Sequence, residues 1–205
     1  MRRSLITTLA LVTTTLTVLA TAGTAHAGSW THRDARGDVF RAPMSEDAEP
    51  TGDATDRTSD ITRFNVRHSA RKVTLTLSLR DLRGGGSMTV GRIVTPTNDY
   101  QATVLRSADL RVFSLVDTAA ETEELTCRGK RASYDTRRDR ITITIPRTCL
   151  GSPSWVRAGA GYARGDWMSS DESSTMTFDE ALRRGSKRSV SKSDTLKVGK
   201  RVQAG

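Results

Sequence analysis

Val73, Leu75, Leu77 and Leu79 alternate with Thr74, Thr76, Ser78 and Arg80. A period of two puts every apolar side chain on one face of an extended strand and every hydroxyl or charge on the other. A helix would scatter both sets around its circumference, so this run commits its segment to a half-buried sheet. Phe64, Val66 and His68 alternate in the same way with Arg63, Asn65 and Arg67. The polar residues 69–72 between the two runs make them a hairpin. Ala132 and Tyr134 before, and Ile141, Ile143 and Ile145 after, the charged residues 135–140 predict a second hairpin. Residues 88–94, 100–105, 110–116 and 155–163 supply further strands between Gly, Pro and Asp turns. The only candidate helix is a short one at 178–184. Many short strands without crossover helices predict an all-β chain, an antiparallel β-sandwich of jelly-roll or immunoglobulin-like type.

The start of the chain reads as targeting. Arg2 and Arg3 precede an uncharged, apolar and threonine-rich run from Leu5 to Leu19, and Ala25-His26-Ala27 has the small-x-small form of a signal-peptidase site. Residues 1–27 are therefore expected to be a secretory signal peptide, with export to the extracellular space or cell wall. The alternative, an uncleaved anchor, fits the Ala-His-Ala site and the many threonines less well. Cys127 and Cys149 are the only two cysteines, and an even count in an oxidising compartment predicts one disulfide. Their 22-residue separation suits neither a Cys-x-x-Cys redox pair nor a four-ligand zinc site. They bracket the second hairpin, so the bond would staple its open end.

Charge is segregated. The chain carries a net charge of +9, and eight basic residues with a single acid, Asp194, fall between Ala181 and Gly205. The expected organisation is a sandwich over residues 28–182 and a basic, disordered tail over 183–205, with an edge strand through Val190, Leu196, Val198 and Val202 as the alternative. A cationic arm after a neutral body suits a polyanion such as a cell-wall polymer. The tail has no aromatic residue to stack on bases, so a specific nucleic-acid partner is not expected. The opposite bias occurs early, where residues 34–60 hold eight acids and three arginines among Pro, Gly, Ser and Thr. Such a loop can offer oxygen ligands to calcium, with Asp34 and Asp38 the candidate metal ligands, although the spacing is not that of an EF-hand. A solvated acidic loop is the plainer account.

Catalytic signatures are sparse. Once His26 leaves with the signal, His32 and His68 are the only histidines. There is no Gly-x-Ser-x-Gly elbow, P-loop or dinucleotide fingerprint. Ser69-Ala70-Arg71-Lys72 matches Ser-x-x-Lys but falls in a hairpin turn rather than at a helix start. Paired carboxylates of a glycosidase type stay open, because the acids are plentiful and their separations are not fixed by sequence.

The spacing Asp34-x-x-x-Asp38, then Asp60-Ile61, Val73-x-Leu75-x-Leu77 and Asp81-Leu82, resembles that of uncharacterised secreted proteins of high-GC Gram-positive bacteria, as does the run Ile143-x-Ile145-Pro146-Arg147-x-Cys149-Leu150-Gly151-x-Pro153-x-Trp155. More distantly, the strand order over about residues 30–180 resembles DOMON and family-nine carbohydrate-binding β-sandwiches. That resemblance implies glycan binding through aromatic platforms and calcium in acidic loops. Haem-binding relatives use Met and His axial ligands, but Met88 and His68 lie on strand faces and read as core.

The expected function is non-catalytic binding of a glycan or anionic wall polymer. Trp155 and Trp167 would stack on the ligand beside Asp166 and Asp171, and Arg183, Arg184, Lys187 and Arg188 would attract it. The rivals are a hydrolase using acidic-loop carboxylates and a structural or partner-binding secreted protein.

Overall fold

The computed structural model describes residues 27–43, 49–107, 110–119, 124–165, 174–183 and 195–205. Thirteen strands are assigned among them: β1 (Gly28–Arg33), β2 (Phe40–Pro43), β3 (Thr51–Gly52), β4 (Ile61–His68), β5 (Lys72–Leu79), β6 (Ser87–Val94), β7 (Asp99–Arg106), β8 (Arg111–Asp117), β9 (Arg131–Asp135), β10 (Arg140–Pro146), β11 (Trp155–Arg164), β12 (Thr175–Glu180) and β13 (Val202–Gln203). One short 3-10 turn, Arg147–Leu150, follows β10.

Two antiparallel sheets face each other. The first has the order β1-β4-β5-β10-β9, and the second runs β3-β2-β12-β11-β6-β7-β8. β13 adds to the second beside β11, pairing Val202 with Val156. The apolar set of each alternating run points between the sheets. Phe64, Val66, Leu75, Leu77, Ile141 and Ile143 from the first sheet form one cluster with Ile93, Val104, Leu115, Val156 and Tyr162 from the second. Close approach of the sheets depends on Gly91, where a Cβ would come within 2.7 Å of Leu75 Cδ1. Tyr134 spans the gap, its hydroxyl 2.7 Å from Thr89 Oγ1, so a buried phenol keeps a polar partner.

Both expected hairpins form, with Phe64 opposite Leu77 and Ile143 opposite Ala132. Cys127 and Cys149 are bonded, with Cα atoms 5.6 Å apart. Three expectations need correction. Residues 178–180 belong to β12 rather than to a helix, because Phe178 pairs in register with Phe40 and stacks on its ring at 5.4 Å. The acidic stretch 34–60 is not all loop, since β2 and β3 pair within it. The disordered tail expected over 183–205 is not what residues 195–205 form. Gly199 N–H donates to Ala158 O, Ala204 N–H to Ser154 O and Gly205 N–H to His68 O. Val202 is 3% exposed. This segment shares an edge of β11 with β12 and reaches β4, closing the seam between the sheets. Among the described residues no helix is long and apolar enough to cross a membrane.

Candidate functional site

The outer face of the five-stranded sheet is built from the wet half of each alternating run. Register places Thr31, Asn65, Thr76, Thr142 and Ser133 in one row across all five strands. One flanking row reads Arg33, Arg63, Ser78, Arg140 and Asp135, and the other Ser29, Arg67, Thr74, Thr144 and Arg131. Lys72 follows Arg67 and Thr74 at the end of the face. Neighbouring strands stand about 4.8 Å apart and same-face residues along a strand about 7 Å apart, so this is a regular array of hydroxyls and the Asn65 amide bordered by cations, in which Thr144 is itself buried.

Arg33, Arg63, Arg67, Lys72, Arg131 and Arg140 are all exposed, and none joins the ion pairs formed among the described residues. Arg33 stands directly opposite Arg63. Like charges facing across an antiparallel pair cost stability. The one acid in these rows, Asp135, lies at the far edge and pairs with Arg138 at 3.7 Å. Single-residue patterning showed that Arg63 and Arg67 would face water. It could not show that the wet faces of β1, β4, β9 and β10 would join, because that depends on strand order.

A second cluster sits where the chain crosses between the sheets. Asp38, Asp60 and Asp179 are buried and each offers a carboxylate oxygen within 4.8 Å of the others. The Asp34 side chain is fully buried, and its carboxylate is among the charges that act on Asp179. Asp60 Oδ2 accepts the Gly37 N–H and the Arg80 guanidinium, each at 2.9 Å. Asp179 Oδ2 accepts the Ile61 N–H at 2.7 Å. Burial pushes the Asp179 carboxyl up to about 8; the Ile61 N–H opposes that rise, and the charges of Asp38, Asp34 and Asp60 add to it. Asp34 and Asp38, expected as metal candidates, thus come together with Asp60 of the same acidic stretch and with Asp179 of a distant strand, neither of which was expected as a ligand.

The other expected ligand residues separate. Trp155 is half-buried, and the Arg201 guanidinium lies 4.3 Å from its ring centroid. Arg183 is engaged within the protein, with its Nε 2.6 Å from Glu180 Oε2 and an N–H donated to the Thr195 carbonyl. Asp166, Trp167, Asp171, Arg184, Lys187 and Arg188 lie outside the described residues. A polar groove of about 830 Å³ is lined by Arg41, Asp53, Asp56, Thr58, Arg164 and Gly165, among others. Its charges largely answer one another. Arg41 pairs with Asp53 at 2.7 Å, and Arg164 donates to Thr58. Hydrogen bonds from Thr55 and then Arg41 pull the Asp53 carboxyl down to about 2.

Comparison with known protein families, with curated proteins and with solved structures returns no match.

Proposed function

We propose that this is a secreted, non-catalytic binding protein that holds an anionic, hydroxyl-rich polymer of the cell envelope on the outer face of its five-stranded sheet. The observation that carries this reading is the set of six exposed cations without ion pairs among the described residues, arranged around a row of hydroxyls, with Arg33 opposite Arg63. A fold gains nothing from that opposition. A polyanion lying along the face would turn the repulsion into attraction, with guanidinium forks on its charges and threonine hydroxyls on its hydroxyl or phosphate oxygens. A flat surface suits an extended chain better than a small molecule, which favours a concave pocket.

The hydrolase reading is less well supported: Asp38, Asp60 and Asp179 are buried away from a scissile bond, and the groove acids Asp53 and Asp56 both have lowered carboxyls, unlike the raised one a general acid needs. The decisive test is co-sedimentation with a purified anionic wall polymer over a salt series. Charge-driven retention falls steeply as salt screens it. Arg63→Gln with Arg67→Gln and Arg140→Gln should weaken retention at least tenfold while leaving the melting temperature unchanged or raised. Equal retention by wild type and variant would refute the assignment to this face.

A further inference from the structure

Buried acids gather at the crossing between the sheets. They come from three distant stretches: Asp34 and Asp38 from the β1–β2 connection, Asp60 from the residue before β4, and Asp179 from β12. The β1–β2 connection is the first of three at which the chain leaves the five-stranded sheet for the other one.

Asp60 shows that this is more than an accumulation of acids. Its residue is fully buried. Oδ2 has two donors, Gly37 N–H and Arg80, whereas Oδ1 is buried with no hydrogen bond among the described residues. A buried carboxylate oxygen without a donor bears its full desolvation cost. Two further buried carboxylates, Asp38 and Asp179, each bring an oxygen within one 4.8 Å span with an oxygen of Asp60. The proton that Asp179 keeps below about pH 8 can serve only one neighbouring oxygen, so it cannot satisfy all the carboxylates gathered here. A cation shared among them would.

The geometry points to one calcium ion held by Asp38, Asp60 and Asp179, with Asp34 beside them. Every side-chain donor in the cluster is a carboxylate oxygen, which selects hard cations over zinc or copper. Calcium accepts oxygens at 2.3–2.6 Å in irregular geometry, so two of its ligands can stand about 5 Å apart; magnesium needs a tight octahedron at about 2.1 Å. An irregular connection meeting a strand end and a strand matches the looser demand. The ion would bind Asp38 of the crossing to Asp60 at the head of β4 and Asp179 of β12, clamping the two sheets at one corner. It would lie inside the protein and would not itself contact a polymer on the outer face.

The test uses the full mature chain, dialysed against EDTA and then titrated with calcium chloride, with heat of binding and melting temperature both followed. The expected result is one calcium per chain and a melting temperature raised by about 5–10 °C at a hundredfold excess over Kd. Asp179→Asn should keep the fold and raise Kd at least tenfold. If that variant does not fold, direct europium luminescence on the wild type decides, through one site that calcium displaces. Tighter binding of magnesium than of calcium would overturn the calcium assignment. Absence of both heat and a thermal shift, in protein shown by metal analysis to carry none, would overturn the site. Neither result bears on polymer retention, which is measured in EDTA.

Discussion

The Arg201 guanidinium rests 4.3 Å from the centroid of the Trp155 ring. The contact joins the two features from which the sequence would build a binding surface, an aromatic and a terminal cation, and turns them toward each other. Around it, Arg157 donates to the Gly199 carbonyl at 2.8 Å and Arg92 to the Leu196 carbonyl at 3.0 Å. The last residues are thus part of the folded body. Deleting residues 196–205 removes the buried Val202 side chain and several backbone hydrogen bonds. The expected loss is about 5 kcal/mol, from roughly 2 kcal/mol for the valine and about 1 kcal/mol for each of the backbone hydrogen bonds given by Gly199, Ala204 and Gly205. Urea melts of the two proteins check it, and equal midpoints would show the segment to be dispensable.

Gly199 lies under Trp30, and a Cβ added there would collide with the indole Cη2 and Cζ3. Trp30 also packs edge-on against Phe64 at 6.2 Å, so it has little room to yield. Gly199→Ala should cost about 1–3 kcal/mol through overpacking. Gly84 is the control, because nothing stands within 4 Å of a Cβ there; Gly84→Ala should stay within about 0.5 kcal/mol of wild type. Thermal melts of both variants make the comparison.

Cys127 and Cys149 close a loop of 22 residues around the β9–β10 hairpin. In the chain-entropy account a loop of this size contributes about 3 kcal/mol. Replacing both cysteines by serine should lower stability by that amount. β9 is an edge strand, so hydrogen exchange should speed up there before it does in β5.

His68 is buried, with Nδ1 3.1 Å from the Val202 carbonyl and Nε2 without a hydrogen bond among the described residues. Burial lowers its pKa, the Val202 carbonyl opposes that, and the Arg147 charge adds to the lowering. A histidine depressed in the folded state is held neutral there, whereas the unfolded chain protonates near pH 6.5. Its stabilising contribution is therefore present above about pH 6.5 and is lost as pH falls below that value. Between pH 7 and pH 5 His68 should subtract stability while Asp179, its carboxyl pushed up to about 8 in the folded state, adds it; urea melts at the two pH values should therefore show the wild type gaining less, or losing more, than His68→Gln. Parallel slopes for the two proteins would remove His68 from the account.

Strands β4, β5, β9 and β10 were legible because one of their faces is buried and the other wet, which writes a period of two into the sequence. Strand β2 was not, since Phe40 and Ala42 are only two apolar positions inside an acidic stretch. They become a strand by pairing with Phe178 and Met176, more than 130 residues away. The same long-range dependence hid Asp60 and Asp179, which look like unrelated acids until the crossing brings them to Asp38. Val202 was readable as an edge-strand residue, but the charge of the tail argued for solvent. The apolar seam between the sheets outweighed it for residues 195–205. Trp155 was visible as an aromatic, while its Arg201 partner lies 46 residues further on.

The cationic sheet face is the centre of this account, and salt-dependent retention on an anionic wall polymer tests it most directly. Wild-type protein, the Arg63→Gln/Arg67→Gln/Arg140→Gln variant and a variant with the basic residues of 184–192 replaced by glutamine are compared in EDTA from low to high salt. Steep salt sensitivity is expected for the wild type, with a loss of at least tenfold for the sheet-face variant and a smaller loss for the 184–192 variant. Retention that survives the sheet-face substitutions and disappears with the 184–192 substitutions would contradict it.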